Sequence, residues 1–330
     1  MLLLENLQQF DIELSDFLVT LAATGMLTFL LLAALCAPLL AVATESAYAF
    51  RRKAFYDKCA LQICQTGFGL ALLGFIIVGG SASIVISRQH PELFQLPLQW
   101  LALKPYVLPY APPLAALLLL TLYLCTWNAL KKLRGPHIFL GLCAALLCLA
   151  VLVALFLALS SIQEPVISLI FWTAPLAVAQ ALLLDLVESP ALSLGLAYAV
   201  AFGLAACGSL AQLWLILRRS SADYGRDYYV FAMHYCARVS LIFTLLASAL
   251  AGGLFWLMLN SVPPELSQPQ DPGILLISGG LPLSCCLLWL CMIKSDTPMR
   301  HKPGAFFAFL FLLIALCAHL MLFFSTFPMI

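Results

Sequence analysis

Eight long apolar stretches separated by short polar gaps constrain this chain more than any other feature of it. They run near residues 17–44, 60–86, 107–130, 137–160, 191–217, 233–259, 274–293 and 304–327. A bilayer's hydrocarbon core is about 30 Å thick and takes on the order of 20 apolar residues as a helix. In lipid every backbone N–H and C=O needs a partner within the segment, which a helix supplies and an open sheet edge does not. The pattern therefore predicts an all-α polytopic bundle of about eight transmembrane helices, forming one integral membrane domain over residues 1–330. Composition agrees: 64% of residues are hydrophobic and 9% charged, against about 25% charged in a soluble domain.

The basic residues collect in every second gap. Arg51, Arg52, Lys53 and Lys58 follow the first stretch, and Lys131, Lys132 and Arg134 the third. Arg218, Arg219 and Arg226 follow the fifth, and Lys294, Arg300 and Lys302 the seventh. The remaining gaps hold only Arg88 and Lys104 among basic residues, beside Glu92, Glu164, Asp185, Glu188, Glu265 and Asp271. Loops rich in Lys and Arg are retained on the cytoplasmic side. Both termini are thus expected outside, in a multi-pass protein of the cell membrane (the inner membrane of a bacterium). The segment from Met1 to Asp16 has no basic residue, so no cleaved signal is expected. Retention suffices to explain the basic loops, and no nucleic-acid partner is invoked. The acidic outer gaps are suited to steering a basic soluble partner such as a periplasmic cytochrome.

The outer gaps 87–106 and 161–190 mix prolines with Trp100, Tyr106, Phe171 and Trp172, which predicts segments lying at the interface. In the fifth stretch Gly195, Ala199, Gly203 and Cys207 recur every four residues, the spacing that lets two helices approach closely. The Gly79–Gly80 and Gly252–Gly253 pairs are expected to loosen or tightly pack their helices. Most of the twelve cysteines fall inside apolar stretches, where Cys acts as a small apolar residue. No Cys-x-x-Cys pair appears, so neither covalent haem attachment, an iron–sulfur cluster nor another metal site is expected. Walker, His-Glu-x-x-His and Gly-x-Ser-x-Gly motifs are also missing, which removes support for ATP-driven and hydrolytic functions.

Ionisable groups at membrane depth are costly and mark function by default. Glu45 closes the first stretch, and His234 and Arg238 open the sixth on one helix face. The expectation is that Arg238 pairs with and orients Glu45, with His234 nearby. His137 opens the fourth stretch at the same depth, His301 lies in the last basic gap, and His319 stands within the eighth stretch. His137 with His234 would make a bis-His site for haem b between helices four and six. His319 is a candidate haem ligand or quinone hydrogen-bond partner. A quinone site needs an apolar slot near one membrane face and one or two hydrogen-bonding groups. Glu45, His234, Tyr235 and Arg238 are one candidate set, and Gln62 and Gln65 another.

The stretch LLAVATESAYAFRRKAFYDKCALQICQTGFG, residues 39–69, resembles the first helical hairpin of cytochrome bd-like membrane subunits. The matching residues are Thr44 and Glu45, the basic turn at Arg51 and Arg52, and Tyr56. The layout from the outer segment before the fifth stretch to the basic linker at 218–238 is also similar. The resemblance implies a quinol-oxidising, b-haem electron-transfer subunit working beside periplasmic multihaem cytochromes. The family's first helix carries haem-ligating histidines, whereas residues 17–44 contain none. That departure implies a haem-poor relative keeping a quinone or architectural role. The number of stretches is also similar to the haem-free quinol-binding subunits of polysulfide-reductase-type complexes. The expected function is an integral membrane subunit of a respiratory electron-transfer complex that works with quinone, with redox centres mostly in partner subunits. A permease for a neutral or amphiphilic solute and a non-catalytic anchor are the rivals.

Overall fold

The computed structural model describes residues 14–89, 111–130, 132–160, 189–219, 224–261 and 272–326. The expected interfacial segments and most of the acidic outer gaps lie outside the described residues. Eight α-helices account for nearly all of the rest: α1 (Leu14–Arg51), α2 (Ala54–Gln89), α3 (Ala111–Cys125), α4 (Arg134–Ser160), α5 (Pro190–Arg218), α6 (Arg226–Ser261), α7 (Pro272–Lys294) and α8 (Lys302–Thr326). A 3-10 turn, Pro298–His301, leads into α8. Among the described residues there is no strand, and the chain is a helical membrane bundle. Seven of the helices are long and apolar enough to cross a bilayer.

The exception is α3, described over 15 residues. At 1.5 Å per residue that is about 22 Å, short of the hydrocarbon core. Pro112 and Pro113 sit in its first turn, where their missing N–H groups cost nothing. Past Cys125 the chain tightens into turns closed by Trp127 N–H to Leu124 O and Leu130 N–H to Thr126 O. Within the expected third span, 107–130, the described residues thus form a helix to Cys125 followed by a turned end.

Side-chain contacts bring alternate helix ends together. Arg134 at the start of α4 meets Asp57 at the start of α2. Arg218 at the end of α5 donates to Gln65 of α2. His234 near the start of α6 meets the Ser295 carbonyl just after α7. The basic linkers therefore share one end of the bundle, called the basic end below, and successive helices run up and down. At that end α1 and α2 join through only Arg52 and Lys53. Arg52 takes a left-handed conformation, φ 52°, and its N–H caps the Tyr48 carbonyl at 2.7 Å.

Helix α1 is the axis of the bundle, touching α2, α4, α5 and α8. Small residues make that position possible. A Cβ added at Gly203 of α5 would stand 2.8 Å from the Leu32 carbonyl of α1 and 2.5 Å from Cys36 Sγ. At Gly208 it would meet Ser240 Oγ at 2.5 Å and the Cys236 carbonyl at 3.1 Å, both on α6. The stripe through Gly195 and Gly203 thus packs helix against helix. The glycine pairs differ: a Cβ at Gly80, Gly252 or Gly253 would meet open space, so they pack nothing tightly. Outward-facing Leu118, Leu146, Leu246, Leu276 and Leu287 are exposed, the surface a bilayer would cover.

Candidate functional site

Glu45 sits where four helices meet the basic end, and its side chain has no exposure. Thr44 precedes it on α1, bonding back to the Leu40 carbonyl and sharing a 2.8 Å hydrogen bond with Tyr235 of α6. Three donors converge on the Glu45 carboxylate. Tyr123 of α3 donates its hydroxyl to Oε2 at 2.6 Å. Arg134 donates from Nη1 to Oε1 at 3.0 Å, and His137 Nδ1 lies 2.7 Å from the same oxygen. Arg134 and His137 are three apart on α4, hence on one face of that helix.

The histidine is held on every side. Its Nε2 faces the Tyr123 backbone carbonyl at 3.1 Å. The ring stacks on Tyr123, centroids 4.5 Å apart, and meets Trp127 edge-on at 4.9 Å. A carbonyl only accepts, and so does an ionised carboxylate. The hydrogen bonding is therefore complete only with a proton on both ring nitrogens. Arg134 reaches past Glu45 to Asp57 Oδ1, 2.8 Å from its Nη2, and lies over the Tyr48 ring at 5.0 Å. Glu45, Arg134 and Asp57 thus form a chain of paired charges, with His137 hydrogen-bonded at its buried end. Exposure rises along it, from none at Glu45 and His137 to 15% at Arg134 and 16% at Asp57. A buried charge needs such pairing, since desolvation otherwise costs several kcal/mol, on the order of 3–5 when one partner is lost.

The structure redistributes the residues expected from sequence. Glu45 and His137 come together. Arg238 does not pair with Glu45: it is exposed on the outward face of α6, and Arg134 holds the carboxylate instead. The cause is the neighbourhood of α1, which packs on α4 where that helix begins. His234 donates from Nε2 to the Ser295 carbonyl at 2.9 Å. His137 and His234 do not face each other, because His137 binds α1 from the α4 side while Tyr235, next to His234, binds α1 from the α6 side. With both His137 nitrogens already engaged, the residues present do not fit a bis-His haem at that pair. His319 is half-buried in α8, its Nδ1 2.9 Å from the Tyr198 hydroxyl of α5. His301 is exposed at the basic end.

Sequence reading missed Tyr123 and Arg134 as partners of Glu45, and Asp57 as the second partner of Arg134. The signal for Arg134 was its spacing from His137; Tyr123 and Asp57 lie on other helices and gave none. Two further features lie nearby. A shallow groove between α2, α5 and α6 is lined by Cys59, Gln62, Ile63, Thr66, Trp214 and Cys236. Gln62 there accepts from Tyr228 at 2.6 Å, which leaves its amide nitrogen to be satisfied. In the α5–α7 part of the bundle, Ser209 Oγ, Gln212 Oε1 and Nε2, Thr244 Oγ1 and Trp289 Nε1 are buried with no protein hydrogen-bond partner. Among the described residues no group of three His, Cys, Asp or Glu side chains is placed to hold a metal ion. No protein-family model matches the sequence, and no curated protein does.

Proposed function

We propose that this protein is an integral membrane subunit of a respiratory electron-transfer complex, exchanging electrons with the quinone pool at its basic end. The observation that carries the reading is the fully buried Glu45 carboxylate, joined to His137 and Tyr123 and linked through Arg134 to a partly exposed Asp57. Chains of ionisable side chains at membrane depth serve proton transfer, and quinol oxidation must dispose of protons. A quinol losing two electrons releases two protons. The electrons pass to a redox centre of a partner subunit, of the haem class, and the protons leave through groups near the basic surface. Glu45 is the base nearest the core and Asp57 the one nearest solvent; Arg134 holds both carboxylates in place. The groove beside Gln62 has no free volume in the closed bundle. A quinone ring would therefore reach the Gln62 amide N–H, a donor for a quinone oxygen, only by parting α2 from α5 and α6.

The test is photo-crosslinking of an azidoquinone to the protein in native membranes, followed by peptide mapping. Labelling of α2 or α5 residues along the Gln62 groove, displaced by excess quinone and reduced at least about tenfold by Gln62→Leu, is the expected result. Labelling that excess quinone does not displace would overturn the reading. The permease reading has one observation in its favour, the unpartnered buried polar atoms of Ser209, Gln212, Thr244 and Trp289. Uptake of a neutral solute into liposomes holding this chain alone, abolished by Gln212→Leu, would make it lead.

A further inference from the structure

Away from the Glu45 network, the basic end carries a cavity of about 580 Å³ that the electron-transfer reading does not use. It opens where the end of α5, the start of α6 and the α7–α8 linker meet. Arg219, Arg226 and Arg300 line it, one from each element, together with Gly225, Tyr229, Val230, Thr297 and Met299. We infer that this cavity is a binding site for a phosphate-bearing ligand at the basic face of the membrane.

Three observations support this inference independently of one another. Three arginines from separate segments line it, and among the described lining residues there is no carboxylate. Guanidinium presents paired N–H donors in a planar fork that matches phosphate oxygens. The cavity also lies at the first turn of α6, with Gly225 at φ +83° just before it. The dipole of a helix start favours an anion there. Finally, Thr297 adds a hydroxyl, while Val230 and Met299 give one apolar wall. A phosphate attached to an apolar or sugar moiety fits that mixed lining better than a bare ion does. Asp227 and Asp296 neighbour the site in sequence but do not line it. The ligand's source is either the headgroup of an anionic phospholipid or a soluble phosphate compound.

The experiment is native mass spectrometry of the full chain in detergent, titrated separately with phosphatidylglycerol, phosphatidylcholine and pyrophosphate. The expected result is saturable binding of one phosphatidylglycerol, or one pyrophosphate, with phosphatidylcholine bound at least about tenfold more weakly. Arg219→Gln, Arg226→Gln and Arg300→Gln combined should remove that preference. The single Arg300→Gln, an exposed change in the linker, should weaken it alone should the triple variant fold poorly. Arg52→Gln with Lys53→Gln, equally basic but outside the cavity, should leave it intact. Preference for phosphatidylglycerol assigns the site to lipid, and preference for pyrophosphate assigns it to a soluble ligand. Equal binding of all three probes, or equal losses in the Arg52/Lys53 control, would overturn the proposal.

Discussion

At the scale of single residues, the Glu45 network makes sharp demands. Glu45→Ala removes the buried acceptor shared by Tyr123, Arg134 and His137, leaving Arg134 only Asp57 as counter-charge, and should destabilise the protein by about 3–5 kcal/mol, read as a drop in the thermal unfolding midpoint in detergent. Tyr123→Phe removes one hydroxyl donor from a buried carboxylate and should cost about 1.5–3 kcal/mol. Arg238→Gln, on the outward face, should stay within about 0.5 kcal/mol; a loss as large as that of Glu45→Ala would mean that Arg238 reaches the carboxylate after all. Glu45 and His137 were legible in the sequence because ionisable groups at helix ends stand out in so apolar a chain. Their pairing was not. Arg134 and Arg238 are each a basic residue near a helix start, and only the placement of α4 against α1 decides between them. Tyr123 and Trp127 carry no sequence signal of their own, and their role shows only where α3 ends beside His137.

Helix contacts set the next scale. Gly208 stands so close to Ser240 and the Cys236 carbonyl that Gly208→Val must push α5 from α6, at a cost of about 1–3 kcal/mol or more. Gly252→Val, facing open space, should be tolerated in the same unfolding measurement. The small-residue stripe of α5 was readable from its four-residue spacing, whereas Gly80, Gly252 and Gly253 carried no spacing that revealed their open surroundings. The end of α3 was hidden for a different reason: apolar content continues through Leu130, but the chain turns after Cys125. Arg52 offers a test of local strain. A non-glycine residue in the left-handed region costs about 1 kcal/mol, so Arg52→Gly should hold or raise the unfolding midpoint even though it deletes a charge.

For the whole molecule, the alternation of basic gaps translated directly into the gathering of helix ends at one face, since every second linker meets there. Such regularity is legible because charge retention and helix length are properties of the chain alone. Which helices touch is not, and α1 as the axis had no signature beyond its alanines. If the basic end is cytoplasmic, single cysteines introduced at Lys53 and Lys302, in a background whose native cysteines are replaced, should resist a membrane-impermeant thiol reagent added outside intact cells and react in inverted vesicles. The central claim, a quinone-linked role, is met most directly by extracting quinone and haem from gently purified protein and recording its reduced-minus-oxidised spectrum. The account predicts quinone near one per chain without a stoichiometric b-type band from this chain alone, and loss of that quinone in Gln62→Leu. Protein that carries no quinone from quinone-replete membranes, with the Gln62 variant indistinguishable from wild type, would contradict it.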